Sequence, residues 1–135
     1  MKKAIKNIIF ALSVMLMIQS PVKAMEPQGL VENIAAAIKA GNSKELAKYF
    51  GPTVEIIIPG IDGAFSKAQA EVIMKDFFGK SAPVSFSINK KGNSAGGSQY
   101  MIGAYKSKTE NLNVYILLKP VSNILMIQQI HFETD

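Results

Sequence analysis

The 135-residue chain contains no cysteine and no arginine, and His131 is its single histidine. Without cysteine no disulfide staples the fold, so a hydrophobic core has to hold it. Without arginine the planar fork that grips phosphate or carboxylate through two parallel hydrogen bonds is missing. One histidine and no cysteine fall short of the ligand set that a transition metal needs. No metal or other cofactor is therefore expected. No G-x-S-x-G elbow supports a hydrolase. "IDGAF" places one Asp before Gly but lacks the spaced acidic positions of a calcium loop. "GNSAGGS" lacks the lysine of a phosphate-binding loop and has no helix after it, so it reads as a hairpin loop.

The formal charge of +5 misleads, because Lys2, Lys3, Lys6 and Lys23 all precede Met25 and leave eleven lysines against ten acidic side chains beyond it. The clustered basic residues of a nucleic-acid footprint are absent from that remainder. The leader itself, "MKKAIKNIIFALSVMLMIQSPVKA", joins a lysine-rich start to an apolar run, Ile8 to Ile18, too short to span a bilayer. Pro21 breaks the run, and Val22 and Ala24 are small residues at the positions that signal peptidase reads. Cleavage between Ala24 and Met25 is expected, which places the mature domain, residues 25–135, in the periplasm or outside the cell. A buried N-terminal helix is the alternative, weakened by the lack of an amphipathic pattern. No cysteine follows the signal to carry a lipid, and no later apolar stretch reaches membrane-spanning length, so no stable membrane anchor is expected after cleavage.

Along the mature chain, Leu30, Ile34, Ala37 and Ile38 make a helical stripe that stops at "GN". "SKELAKYFGP" predicts a short second helix capped by Ser43, with Leu46, Tyr49 and Phe50 on one face and Gly51-Pro52 ending it. "TVEIIIPG" is a β-branched strand closed by Pro59-Gly60, and "IDG" reads as a turn. Ser66 and Gln69 form a capping box ahead of a helix striped with Ala70, Ile73, Met74 and Phe77. "VSFSINK", "SQYMIGAYK", "LNVYILLK" and "ILMIQQIHFE" then make a four-stranded antiparallel meander. The order predicts an α+β domain with three helices packed on one face of a curved, mostly antiparallel sheet.

In "LNVYILLK" the even positions Leu112, Val114, Ile116 and Leu118 face the core. The last strand is ambiguous because both its even and its odd sets are apolar at one end. Ile130 and Phe132 make better core residues than His131 and Glu133, which assigns His131 to the outer face; a one-residue change in the preceding turn reverses every side chain. The outer face then keeps Tyr105, Tyr115, Leu117, Leu125 and Ile127, an apolar area that suits a sheet-to-sheet homodimer. The alternative cover is a terminal segment of the same chain. Phe50, Phe65, Phe77, Tyr100, Ile102 and Gln128 are expected around a pocket for a small hydrophobic ligand, unless the aromatics fill that space and leave a surface-acting module. The enzymatic alternative is a cofactor-independent isomerase, dehydratase or hydrolase. It needs His131 or Asp62 inside the pocket with Tyr49 or Tyr100 as an acid/base set.

"GNSKELAKYFGPTVEI", "SKAQAEVIMKDFF", "VYILL" and "LMIQQIHFE" together resemble a family of small exported Bacteroidota proteins known as domain-of-unknown-function family 4783, within the nuclear-transport-factor-two-like superfamily. The resemblance covers nearly all of the mature chain, and "FSKAQAE" is its most specific part. It implies a cone of helices against a bent sheet, often dimeric through the outer sheet face. It implies no activity, since that superfamily holds isomerases, dehydratases, transport factors and plain binding modules. The Asp–His pairs of its enzymes have no counterpart in this sequence, so no catalytic residue carries over.

Overall fold

The computed structural model describes residues 29–135; the expected leader and the expected cut between Ala24 and Met25 lie outside them. Helix α1, Leu30–Lys39, buries Ile34, Ala37 and Ile38, the stripe its periodicity predicts. Helix α2, Ser43–Ala47, is capped by Asn42, whose side chain accepts the Glu45 backbone N–H at 3.1 Å; Ser43 is already inside the helix. Phe50, Gly51 and Pro52 do not close α2 but open strand β1, Phe50–Ile58. Proline lacks an N–H for the ladder, and it sits where the pairing of β1 with its neighbour breaks register, between Phe50 and Glu55.

The chain turns at Pro59-Gly60, with Gly60 at a φ of 88°, and "IDG" begins a strand, β2, Ile61–Ser66. Helix α3, Lys67–Lys80, starts at the Ser66–Gln69 capping box and buries Ala70, Met74, Phe77 and Phe78. The meander follows as β3 (Pro83–Asn93), β4 (Gln99–Ser107), β5 (Asn111–Val121) and β6 (Ile124–Glu133). Strands β5 and β6 are joined by two residues, Ser122 and Asn123, at φ values of 49° and 65°. Left-handed backbone at both positions gives a tight turn whose twist matches its strands.

One six-stranded sheet results, in the order β2-β1-β6-β5-β4-β3. Every pairing is antiparallel except β1 with β6. The expected α+β architecture of three helices on a curved sheet is present, with β2 as an unanticipated edge strand.

Irregularities in the ladders decide which side chains meet. Leu117 pairs with Gln129 but Leu118 pairs with Ile127, so Gln128 is an extra residue in β6, a β-bulge. Before it Ile127 faces the helices, and after it Ile130 and Phe132 do. The apparent ambiguity of β6 therefore has a physical basis: both apolar sets point inward, each on its own side of the bulge. This corrects two expectations. Ile127 is fully buried in the core, and Leu125 packs against that core.

Tyr105 is also inside. Its register places it opposite Leu112 and Phe86, with no exposure, and its hydroxyl donates to the Ser81 carbonyl at the end of α3. The rings of Phe77, Phe78, Tyr105 and Phe132 lie with centroids between 4.9 and 6.4 Å apart, tilted or edge-on as aromatic quadrupoles favour. Gly103 lets this layer close, because a Cβ there would come within 2.6 Å of the Ser87 carbonyl and 2.8 Å of the Phe86 ring.

Candidate functional site on the outer sheet face

The six residues expected around a pocket do not meet. Phe50 and Phe77 are core residues, 1% and 6% exposed. Phe65 packs on the core from β2 and edges a shallow apolar patch with Ala68, Val72 and Ile73. Tyr100 and Ile102 stand opposite Leu117 and Tyr115; Ile102 belongs to the side away from the helices, while Tyr100, near the sheet edge, also lines a cleft with Val31 and Glu32 of α1. Gln128 is the exposed bulge residue. Interior aromatics occupy the middle of the space between helices and sheet, and an open cleft of about 530 Å³ remains at its edge between Val31 and Glu32 of α1 and Lys91, Gly92 and Tyr100 of the sheet.

The outer face is built as rows of directly paired residues. One row crosses all six strands as Asp62, Ile57, His131, Tyr115, Ile102 and Lys90. The row beside it reads Ala64, Glu55, Gln129, Leu117, Tyr100 and Gly92. Two more register shifts bring β3 into line, one of them between Ile88 and Lys90, so that Ile88 faces inward while Lys90 faces outward. Tyr100 lies over Gly92, where a Cβ would meet its hydroxyl and ring at 2.8–2.9 Å. The glycine gives the ring a flat seat at the sheet edge.

Near the middle of this face stands His131, its ring centroid 5.7 Å from that of Tyr115. Its Nε2 lies 3.4 Å from Glu55 Oε1, close enough for an ion pair with a protonated imidazole. The approach lacks hydrogen-bond geometry, and Nε2 has no hydrogen-bond partner among the described residues. Asp62 is on the same face but two strands away, with Ile57 between, about 10 Å at normal strand spacing. Tyr49 packs against the core on the other side. His131, Asp62, Tyr49 and Tyr100 thus form no acid/base set inside the fold. Nor do three His, Cys, Asp or Glu side chains cluster as metal ligands among the described residues.

Of the five residues expected at a dimer interface, Tyr115 and Leu117 do lie on this face, whereas Tyr105, Leu125 and Ile127 serve the core. Leu117 is only 8% exposed although no helix among the described residues covers that side, flanked in its row by Gln129 and Tyr100. Glu55, Ile57 and Gln129 were missed. Polar Glu55 between Val54 and Ile56 in "TVEIIIPG" carried the signal for the first two, since Glu55 and Ile57 share the parity opposite to buried Val54, Ile56 and Ile58.

The chain matches the model of the family described as "Domain of unknown function (DUF4783)" over residues 31–133. It belongs to this family. A crystal structure of a DUF4783 protein from Bacteroides uniformis is 32% identical with a TM-score of 0.74, over 78% of this chain and 97% of its own. Another from Bacteroides ovatus is 31% identical with a TM-score of 0.71, over 76% of this chain and 93% of its own. A protein named Rd1NTF2, 13% identical with a TM-score of 0.60 over 78% of this chain and 95% of its own, is alike in fold alone. No curated protein matches significantly. Membership in DUF4783 assigns no activity, so the reading of this face rests on its chemistry.

Proposed function

We propose that this DUF4783 chain is an exported binding domain of the cone-shaped nuclear-transport-factor-two-like type that acts through its outer sheet face as a homodimer. Export follows from the leader, with cleavage after Ala24 and release into the periplasm or beyond. The observation that carries the reading is the contrast in filling: four aromatic rings pack the helix side, while Ile57, Tyr115, Ile102, Leu117 and Tyr100 gather on a face that no helix among the described residues covers. A contiguous apolar group of this kind favours a partner over water. The packed aromatic layer in the centre of the fold favours surface recognition over capture of a small molecule there.

Sedimentation velocity of the mature chain over a concentration series tests the reading. The expected outcome is a monomer–dimer equilibrium that Tyr115→Arg shifts to monomer with its thermal transition retained. A chain that stays monomeric at millimolar concentration, or a dimer indifferent to Tyr115→Arg, overturns it.

A further inference from the structure

We infer that the outer face receives a second copy of this chain in one orientation only, about a two-fold axis that runs along the strands between β5 and β6. This rests on the proposed dimer and adds its register. Face-to-face packing of two copies requires the two-fold axis to lie in the plane between them, so for aligned sheets it runs along either the strands or the rows. The row Asp62–Ile57–His131–Tyr115–Ile102–Lys90 distinguishes these choices, because its ends carry opposite charges. An axis along the row sets Asp62 towards the partner's Asp62 and Lys90 towards the partner's Lys90. An axis along the strands reverses the row, so that Asp62 faces the partner's Lys90, Ile57 the partner's Ile102, and His131 the partner's Tyr115. Like charges across an interface repel and opposite charges attract, so electrostatics selects the second arrangement.

Two further observations agree with it. Asp62 and Lys90 are both exposed, and neither takes part in an ion pair among the described residues, whereas neighbouring Lys91 on the helix side pairs with Glu32 at 3.8 Å. Within one chain the two charges stand five strand spacings apart, about 24 Å, too far to compensate each other. The two rows, with the shorter row Ser87, Ala104, Asn113 and Glu133 beside them, cover roughly 500 Å² per protomer, about 1,000 Å² in all, at the lower bound for a specific interface. An interface of this size leaves little surplus over the cost of association, so edge charges register in the measured constant.

Charge reversal tests the register. Asp62→Lys alone and Lys90→Glu alone are each expected to raise the dimer dissociation constant about three- to ten-fold at low salt. The double variant, which restores the opposition across the two-fold, is expected to return to within about two-fold of the unmodified protein. Single variants without effect, or a double variant weaker than either, overturn the register while leaving a dimer sensitive to Tyr115→Arg intact. An unmodified protein that never dimerises fails the outer-face reading itself, and the register with it.

Discussion

The inner and outer faces of the sheet use the same kinds of residue to different ends. Tyr105 and Tyr115 lie on adjacent strands, but Tyr105 is fully buried with its hydroxyl bonded to the Ser81 carbonyl, while Tyr115 stays partly exposed beside His131. The inner tyrosine is held from several elements at once: Phe77 and Phe78 from α3, Phe132 from β6, and Ser81 at the helix end, whose hydroxyl donates to Glu110 at 3.1 Å. The outer tyrosine stands between its partners in the sheet, Ile102 and His131. Side chains fixed by several elements specify the fold, and side chains fixed by one layer remain available to a partner.

The sharpest way to break this difference is Phe132→Ala on the inner face. The variant removes a ring that lies 4.9 Å from that of Phe77 and 5.2 Å from that of Tyr105, and it leaves a cavity in the packed layer. Truncating so large a buried side chain is expected to cost about 3–5 kcal/mol, read as a much lower urea midpoint. A Phe132→Ala variant that unfolds like the parent shows that the aromatic layer does not hold the inner face.

Tyr105→Phe sharpens the comparison on the inner side. It keeps the ring and removes the bond to Ser81, for an expected loss of about 1 kcal/mol in chemical denaturation. Burial, with Glu110 nearby, pushes the Tyr105 hydroxyl well above the usual tyrosine range. The folded state therefore disfavours the phenolate. The stability from keeping Tyr105 protonated is complete below about pH 10, where an unfolded tyrosine titrates, and declines as the pH rises further. The parent should lose thermal stability between pH 9 and pH 11 more steeply than the Phe variant; equal slopes contradict that assignment.

His131→Ala is expected to have the smallest effect, less than about 1 kcal/mol on the stability of the monomer, because the side chain stands outside the aromatic layer. A loss beyond about 2 kcal/mol in the same denaturation measurement gives the outer face a structural role comparable to the inner one.

The helices and the meander were legible because each follows from a local pattern. The α1 stripe, the Ser66–Gln69 capping box and the alternation in β5 all act within a few residues. What stayed hidden depends on pairing between distant segments. Strand β2 was obscured by Asp62-Gly63, a common turn signal, and gains its ladder from β1 alone. The side taken by Tyr105 depends on the register of β4 against β5, which Tyr100, Ile102 and Ala104 do not reveal, since both parities of that strand mix large and small residues. The candidate site was half legible for the same reason. Tyr115 and Leu117 follow from alternation, whereas Leu125 and Ile127 were assigned to the wrong side by extending one parity through a bulge that the chain does not announce.

The place of β1 in the sheet has a kinetic consequence. It hydrogen-bonds to β6, the last strand of the chain, while β3 to β6 pair in succession through short connections. A chain made from its N-terminus can form the β1–β2 hairpin early but has nowhere to dock it until the final ten residues of strand are available. Closure of that long loop belongs to the late, slow phase of folding. Until then the β1–β2 hairpin stays undocked and the sheet lacks two of its six strands.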